Sequence, residues 1–572
     1  MGKKQNNKVK AKTTDSRWID LFPLILLVAI HPLVAMKKQV KIYLCDYAWF
    51  SGSEYQYDFF MYAKMMVFLV LTVCAALLLL DRVIIRRQKI SMRKVWILLV
   101  LYVVLSASST IVSISHDLSL KGMWEQYETV WTLIGYVIIA FVSAQIVQTK
   151  QQQKILLFAI CTGAGAESII GITQMAGLDV WSGTVKAHQI FLSLYNPNYV
   201  GVYIILVLPF AVAGICMVKK QWQKSLFLAL TVLLLICLSG SGSRTGVAVM
   251  MVLGVILAVT TFPGRKKAGM VGLSILLAVT AWIASGDTGR SNLMNGLKRT
   301  ITKVEEYKFQ DIHADGQQVY FRYCNEEIWL DIVEENGESI LIATNKEGML
   351  LPTIWLENQQ CWKITEKPFR KCEFAITEQD GIYILCMRKS GADWNFAKKG
   401  IDGTYGYVTR FGKINTIEEA PAVLRGYERA FSGRGYIWGR TIPLLPKHLL
   451  LGSGPDTFIL EFPQNDYVKR YNTSSSMYQE IPSKAHNMYL QTAVQTGVLS
   501  LICLLLFWGF YLKESICIYW VQKKKDYIGM ACCFSVAGYL MMGVMNDSNL
   551  ATAPLFWTIL GLGWAVNHCE TV

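Results

Sequence analysis

Long apolar segments constrain the fold of this chain more than any other feature. Each runs for roughly 17–25 residues, the length that a helix needs to cross a bilayer. Helices are the default inside a membrane, because each one satisfies its own backbone hydrogen bonds. The sequence therefore predicts about twelve transmembrane helices. They lie at 19–36, 58–80, 95–115, 129–148, 154–177, 199–218, 225–241, 245–262, 268–285, 487–512, 527–545 and 550–567.

The composition agrees with an integral membrane protein. Apolar residues make up 53% of the chain and charged residues 17%, below the roughly 25% of soluble domains. None of the 14 cysteines forms a CxxC pair or a Cys/His metal spacing. Most of them lie in apolar runs, where cysteine is a small hydrophobe. The cysteine pattern therefore gives no sign of a metal site.

The net charge of +15 is distributed in a way that orients the chain in a membrane. Loop 81–94 is strongly basic, whereas 116–128 and 242–244 hold one basic residue each and 546–549 holds none. An excess of Lys and Arg marks cytoplasmic loops, so the sequence predicts both termini in the cytoplasm. Nucleic-acid binding would need a basic patch with aromatic platforms on one face, and we expect no nucleic-acid partner.

The predicted spans and loops divide the chain into regions. The most unusual region is a large extracytoplasmic loop at 286–486. At about 303–412, short runs such as QVYFRY and IWLDIV alternate with turn clusters such as EENGES, which indicates a β-rich insert. Residues 413–486 are expected to form a helical segment that carries the chemistry. The other regions are a cytoplasmic basic tail at 1–18, nine helices within 19–285, three helices within 487–567 and a cytoplasmic tail at 568–572.

The predicted fold class is therefore an all-α polytopic membrane protein of about twelve helices. A small extracytoplasmic β-rich insert and a helical extracytoplasmic loop are added to it.

Arg244 lies in SGSGSRTG, between two apolar segments. A cation at the end of membrane helices needs an anionic partner, and the neighbouring serines and glycines leave backbone amides accessible to an anion. The pattern favours an anion site at Arg244. A snorkelling arginine at the bilayer surface is the plainer interpretation.

The segment GRGYIWGR holds two further arginines, Arg434 and Arg440. If the segment is helical, six residues turn the chain by about 600°, so the two arginines point to different faces. Arg434 and Trp438 are four apart and share a face. The spacing favours Arg434 as the contact for an anionic substrate and leaves Arg440 as a second candidate. Two solvated charges on a surface loop are the alternative.

His486 comes just before a predicted span, in SKAHNMYLQ. Ser483 is predicted as the N-cap, which would place His486 in the first turn of a helix. The positive end of the helix disfavours an imidazolium, so His486 would be a neutral base able to take a proton from a hydroxyl group. An interfacial histidine with an ordinary hydrogen bond is the alternative.

Three other polar features of the outer loops carry weaker signals. Asn196-Pro197-Asn198 is explained by a turn before a span, and Asp547 could pair with an arginine or cap a helix. His448, in PLLPKHLLLGSGPDTF, is expected to be structural. No carboxylate cluster such as DxD is evident in the outer loops, so arginines would have to meet the charge of a phosphate leaving group.

Taken in order and spacing, several of these motifs resemble the O-antigen ligase/polymerase family, the Wzy and WaaL-like membrane glycosyltransferases. The motifs are NPNYVGVY, SGSRTG, GRGYIW, PLLPKHLLLGSGPDTF and AHNMYLQTAVQTGVLS. The resemblance runs from Asn196 to the end of the chain and leaves out the β-rich insert. It implies an inverting GT-C-type transferase that needs no metal and no cofactor.

Such an enzyme passes a glycan from an undecaprenyl-pyrophosphate carrier to an acceptor hydroxyl at the outer face of the bacterial cytoplasmic membrane. Carried over by motif, Arg244 and Arg434 would contact the pyrophosphate, and Arg440 is kept as a further candidate. His486 would activate the acceptor.

The sequence leaves two choices open within this class. The acceptor can be a glycan, a lipid or a protein, and the reaction can be ligation or polymerisation. A transporter or flippase of lipid-linked glycans is the alternative function. Such folds often show repeated halves or broken helices around a midplane site, whereas the polar residues here gather on one face. A structural or sensory membrane protein is a third interpretation.

Overall fold

The computed structural model describes residues 18–178, 189–261, 294–296, 298–389, 391–475 and 477–569. Helices form most of the described chain outside the region 309–415. The α-helices are α1 (Phe22–Ala29), α2 (Met61–Leu80), α3 (Ile97–Ile111), α4 (His116–Lys121), α5 (Val130–Ile146), α6 (Lys150–Met175), α7 (Pro197–Met217), α8 (Gln221–Ser241), α9 (Arg244–Thr261), α10 (Arg434–Thr441), α11 (Phe458–Glu461), α12 (Tyr467–Thr473), α13 (Met488–Thr496), α14 (Val498–Ile516), α15 (Tyr527–Met542) and α16 (Ala553–His568).

Six helices of the described chain are long and apolar enough to cross a membrane. They are Met61–Ile85, Lys94–Ile111, Lys150–Met175, Pro197–Met217, Gln221–Ser241 and Val498–Val521, and four shorter apolar helices accompany them. The protein is therefore a polytopic, mainly helical membrane protein. The number of twelve spans stays a prediction, and the predicted span at 268–285 lies outside the described residues.

The predicted continuous span at 487–512 is wrong, because the chain breaks there into α13 and α14. Gly497 lies between the two helices with φ of 101°, a backbone region that L side chains rarely adopt. A Cβ at this position would come within 2.5 Å of the Leu450 carbonyl oxygen. The Leu499 backbone N–H donates to the Leu449 carbonyl at 3.1 Å. The break thus lets loop 449–452 pack between the two helices, where the Leu449 carbonyl accepts a hydrogen bond from α14.

Helix α16 forms the centre of the bundle. Its residues from Ala553 to Asn567 are buried, and it packs against α5 and α15. A Cβ added at Gly561 would lie 2.2 Å from the Ala140 carbonyl oxygen of α5. Small residues let membrane helices approach this closely, where van der Waals packing holds them together.

Charged residues tie several helices together at one end of the bundle. Asp20, just before α1, pairs with Arg86, just after α2, at 2.7 Å. Glu514 near the end of α14 pairs with Arg93, before α3, at 3.2 Å and with His568 of α16 at 2.6 Å. The basic loop 81–94 therefore lies at this end. The candidate site lies at the other end, where α2, α7 and α13 begin.

The β-strands of the described chain form three antiparallel sheets. The strands are β1 (Lys38–Lys41), β2 (Tyr55–Asp58), β3 (Phe309–Asp315), β4 (Gln318–Tyr323), β5 (Glu326–Glu335), β6 (Glu338–Asn345), β7 (Thr353–Leu356), β8 (Cys361–Ile364), β9 (Glu373–Gln379), β10 (Ile382–Lys389), β11 (Ala392–Lys399), β12 (Gly406–Val408) and β13 (Ile414–Asn415). Strands β3 to β6 form one sheet in sequence order, and β7 to β13 form another. The first hairpin pairs Lys38 with Asp58 and Lys41 with Tyr55.

The two larger sheets share one apolar core. Leu330 of the four-stranded sheet and Trp394 of the seven-stranded sheet are both 0% exposed. Tyr467 and Tyr478, from the segment that follows, belong to the same core. The predicted β-rich insert is therefore a double-layered unit that is packed against the segment carrying the candidate site. The strands of the two sheets run from Phe309 to Asn415, close to the predicted bounds of about 303–412. The predicted class of an all-α protein is wrong, because these sheets form a sizeable part of the described chain.

Candidate functional site

His486 and Asp547 form a histidine–carboxylate pair. Nδ1 of His486 lies 3.0 Å from Oδ2 of Asp547. The histidine side chain is 45% exposed, whereas the aspartate side chain is only 3% exposed. Oδ1 of Asp547 is buried and has no hydrogen-bond partner among the described residues. The carboxylate is thus enclosed, and the imidazole lies between it and open space.

The backbone around His486 differs from the prediction. Asn487, and not Ser483, is the N-cap, and its Oδ1 accepts from the backbone N–H groups of Tyr489 and Leu490 at 3.0 Å each. His486 therefore precedes the helix instead of lying in its first turn. Its φ is 49°, a left-handed conformation that costs of order 1–3 kcal/mol and is typical of functional sites. Asparagine is as good an N-cap as serine, so the sequence did not distinguish the two positions.

Hydrogen bonds hold the start of α13 against the loop that carries Asp547. The Met488 backbone N–H donates to the carbonyls of Gly543 at 2.8 Å and Asn546 at 3.0 Å. The Asn487 side chain donates to the Val544 carbonyl at 2.9 Å. These contacts join segments far apart in sequence, and so they fix the relative positions of the imidazole and the carboxylate.

The charges around Asp547 keep it ionised. Burial alone would raise the pKa of Asp547, but His486, Lys484 and Arg434 together lower that pKa below its usual range. An ionised carboxylate only accepts hydrogen bonds, so Nδ1 of His486 carries the proton and donates it. In the neutral imidazole, Nε2 is then the acceptor nitrogen. Among the described residues, no hydrogen bond occupies it.

A cavity of about 430 Å³ opens beside this pair. Its wall is built from residues 123–126, the segment from Tyr195 to Tyr199 at the start of α7, residues 481–486 and residues 546–547. The turn at 410–411 of the β-rich region also lines it, and Phe50, Ser51, Gln56 and Ile459 complete the wall. This volume lies within the roughly 300–1,000 Å³ of small-molecule sites. The cavity is therefore large enough for a sugar unit beside His486.

Lys484 places a cation in the wall of the cavity, and no pattern in the sequence singles this residue out. Its Nζ donates to the Tyr199 hydroxyl at 2.9 Å. Burial alone would lower the pKa of Lys484, but Tyr199, Asp547 and Glu125 raise it above its usual range. Glu125 also lines the cavity, and its carboxylate accepts from the Tyr195 hydroxyl. Lys484 is thus a fixed positive charge near His486.

Arg434 and Trp438 lie on one face of α10, as their spacing predicts, and that face contacts both segments of the pair. Arg434 Nε donates to the Met545 carbonyl at 3.0 Å, and Trp438 Nε1 donates to the Ala485 carbonyl at 3.1 Å. Burial lowers the pKa of Arg434, and the charge of Asp547 opposes that effect. The half-buried guanidinium therefore lies near the carboxylate without an ion pair to it among the described contacts.

Arg440 is in a different environment. It is 2% exposed, its Nε donates to Asp466 Oδ2 at 2.8 Å, and its Nη1 lies 3.6 Å from Glu428 Oε1. The guanidinium also stacks on the Tyr436 ring, 4.4 Å from its centroid. Two buried carboxylates thus already neutralise its charge. Neither Arg434 nor Arg440 lines the cavity.

Arg244 begins α9 and is exposed. The preceding Ser243 caps the helix, because its Oγ accepts from the Gly246 backbone N–H at 3.3 Å. A Cβ added at Gly201 of α7 would lie 2.2 Å from that Oγ. The start of α9 therefore touches α7 within one turn of Asn198, which lines the cavity. Arg244 thus lies at the same end of the bundle as His486.

Three polar residues with weak sequence signals are Asn196, Asp547 and His448. The first two lie at the cavity, and the third is buried in the packing. Asn196 caps α7 by accepting from the Asn198 backbone N–H at 2.8 Å, and both asparagines also line the cavity. Asp547 is the partner of His486 and not of an arginine. His448, expected to be structural, is buried and lies 3.1 Å from Glu461.

No group of three or more His, Cys, Asp or Glu side chains is placed to hold a metal in the described parts of the chain. The absence of a metal from the reaction stays a prediction.

The fold and the site together define a polytopic membrane protein with a histidine–carboxylate pair in a cavity at one end of its helices. Residues 400–505 match the family model for the O-antigen ligase domain. The match includes Arg434 and His486 and supports the O-antigen ligase/polymerase family, with its general role in bacterial polysaccharide biosynthesis. No curated protein matches the chain.

Proposed function

We propose that the chain is a membrane glycosyltransferase. It would move or polymerise a glycan from an undecaprenyl-pyrophosphate carrier onto an acceptor hydroxyl, at the outer face of the bacterial cytoplasmic membrane. The observation that carries the proposal is the His486–Asp547 pair beside a cavity of about 430 Å³. The positive-inside pattern of the loops supports the outer face, since the basic loop 81–94 lies at the opposite end of the bundle.

In the proposed reaction, the acceptor oxygen attacks the anomeric carbon while its proton passes to Nε2 of His486. The bond between that carbon and the pyrophosphate oxygen breaks, and attack from the opposite side inverts the carbon. Asp547 accepts the Nδ1 hydrogen bond and stabilises the imidazolium that forms, as in other histidine–carboxylate pairs. General-base help of this kind contributes about 10²–10⁴-fold.

The leaving pyrophosphate gains negative charge as the bond breaks. Arg434 and Arg244 are proposed to meet it, and the geometry adds Lys484, which lines the cavity. Cations placed where charge develops lower the barrier most. Arg440 is assigned a structural role, because Asp466 and Glu428 already neutralise it. With these cations and this base, the proposed reaction is metal-independent and inverting.

The experiment replaces His486 with Ala in cells and measures glycan conjugates and carrier-linked glycans on each leaflet. We expect conjugates to disappear and carrier-linked glycan to collect on the outer leaflet. The matched control is His448→Ala, which removes a histidine of the same outer segment that does not line the cavity. We expect this variant to keep its conjugates.

Two outcomes would reject the proposal. Collection of carrier-linked glycan on the inner leaflet would indicate a flippase. Unchanged pools in the His486→Ala variant would remove His486 from the mechanism.

A further inference from the structure

The β-rich region reaches the cavity of His486 through the turn between β12 and β13. These strands pair antiparallel, with Tyr407 opposite Asn415 and Val408 opposite Ile414. The turn between them carries Arg410 and Phe411, and both side chains line the cavity. Strand β12 also pairs with β11, so the turn extends from the seven-stranded sheet.

Hydrogen bonds hold this turn in place from two sides. Within the turn, the Thr409 backbone N–H donates to the Lys413 carbonyl at 2.9 Å. The Thr409 hydroxyl donates to the Ala48 carbonyl at 3.1 Å, and Lys413 Nζ donates to the Cys45 carbonyl. The loop between β1 and β2 therefore anchors the turn, so its tip is held in the cavity wall before any ligand arrives.

The two side chains at the tip offer complementary chemistry. The Arg410 guanidinium carbon lies 4.5 Å from the centroid of the Phe411 ring. Arg410 is exposed. Within the described chain it has no hydrogen bond or ion pair, although Glu480 is close enough for its charge to act on the guanidinium. A guanidinium held next to a ring presents a planar fork that suits a carboxylate or phosphate. The ring itself offers an apolar surface for the C–H face of a sugar.

We propose that Arg410 and Phe411 form a subsite for a negatively charged sugar unit. Arg410 binds its carboxylate or phosphate group, and Phe411 packs against its ring. The inference rests on the proposed function, since it names a feature of the substrate for the same cavity. The β-rich region then selects the substrate, while His486 and Asp547 carry out the proton transfer. The anionic group belongs either to the lipid-linked donor or to the acceptor.

The test measures transfer rates with the purified full chain in detergent. The donor is the carrier-linked glycan extracted from the producing cells, the acceptor is glycan polymer from the same cells, and each is varied in turn. The variants are Arg410→Gln and Phe411→Leu. We expect Arg410→Gln to raise the KM for one substrate about tenfold or more, since a hydrogen bond to a charged group is worth that much, and to change kcat less than about threefold. Phe411→Leu is expected to raise the same KM.

The substrate whose KM rises is the one that carries the anionic group. Inhibition by added glucuronate, compared with glucose, gives a second readout. Glucuronate is expected to inhibit the wild type more strongly than glucose, and Arg410→Gln is expected to remove this preference. The matched control is Arg370→Gln, an exposed arginine of the same region outside the cavity, which should keep both KM values.

The inference is overturned if both KM values and the glucuronate preference are unchanged in the Arg410→Gln variant, or if only kcat falls. If His486→Ala is inactive while Arg410→Gln behaves as the wild type, only this inference is overturned and the proposed function stands. Wild-type turnover of His486→Ala would overturn the proposed function instead.

Discussion

Two histidine–carboxylate pairs in this protein have nearly the same separation and very different surroundings. His486 Nδ1 lies 3.0 Å from Asp547, and His448 Nε2 lies 3.1 Å from Glu461. The His486 side chain is 45% exposed over a carboxylate that is 3% exposed, whereas the His448 and Glu461 side chains are 11% and 15% exposed. The first pair lines a cavity, and the second closes the packing between the segment 442–448 and α11.

This difference shows that the surroundings of a histidine–carboxylate pair determine what the pair can do. Asp547 is buried beside Lys484 and Arg434, which keep it ionised, so it can orient an imidazole whose other nitrogen faces the cavity. Glu461 has His448 and the exposed Lys447 as neighbours, and the hydrogen bond with His448 lowers the pKa of Glu461. Only the first arrangement leaves a basic nitrogen within reach of a ligand.

Replacing the carboxylate of each pair with its amide is expected to give the largest difference in transfer rate. Asp547→Asn removes the ionised acceptor and permits the wrong tautomer of His486, so we expect the transfer rate to fall by about 10³–10⁴-fold. Glu461→Gln should change the rate by less than about threefold. Initial rates with purified enzyme check both. A rate within tenfold of wild type for Asp547→Asn would show that the two pairs do not differ in function.

Substitutions of the two arginines of GRGYIWGR are expected to have different effects, one on the transfer rate and the other on stability. Arg434→Met should lower the transfer rate by about 10²–10³-fold, because it removes a cation proposed to meet the leaving group. Arg440→Met leaves Asp466 and Glu428 buried without their partner and should destabilise the fold by about 3–5 kcal/mol. Thermal unfolding in detergent separates the effects. A stable but inactive Arg440→Met variant would instead indicate that Arg440 contacts the substrate.

Lys484 tests whether the surroundings of Asp547 matter beyond its hydrogen bond to His486. Lys484→Met removes a cation from the cavity wall and is expected to lower the rate by about 10–100-fold. Lys447 is exposed and lies beside the other pair. Lys447→Met is therefore the matched control and should leave the transfer rate unchanged. Equal rates for Lys484→Met and wild type would mean that the cavity cation takes no part in transfer.

Asp456 is expected to affect stability alone and not the transfer rate. It is a buried carboxyl with no ion pair in the described chain, although Glu128 and Lys484 lie nearby. Burial raises the pKa of Asp456 to about 8, so the folded protein keeps it neutral while the unfolded chain ionises it above pH about 4. The free energy of unfolding should therefore fall as pH rises from about 4 to 8 and then level off.

The Asp456→Asn variant should lack this part of the pH dependence, as read from the midpoint of thermal unfolding at several pH values. Identical pH profiles for the variant and the wild type would show that Asp456 is ionised in the fold.

Local patterns in the sequence were enough to predict several of the long apolar helices and one face of α10. The apolar runs at 154–177 and 225–241 correspond to α6 and α8, because length and apolarity alone make a spanning helix. The shared face of Arg434 and Trp438 follows from helical geometry. His486 was recognisable because a histidine at the mouth of an apolar helix is costly to place without a function.

The partners of these residues were not predictable, because they come from distant parts of the chain. Asp547 lies 61 positions from His486, and a lone aspartate in a short loop carries no signal of its partner. Arg440 has the same local sequence character as Arg434, and only tertiary packing buries it against Asp466. The turn at Arg410 reaches the cavity only through the pairing of β12 with β13.

The central claim is that His486 acts as the base of the transfer reaction. It is tested most directly by the initial rate of the purified His486→Ala variant with and without added imidazole. We expect the rate to fall by about 10²–10⁴-fold and to recover as imidazole enters the space left by the side chain, while His448→Ala keeps its rate and does not respond. A wild-type rate for His486→Ala without imidazole would contradict the account.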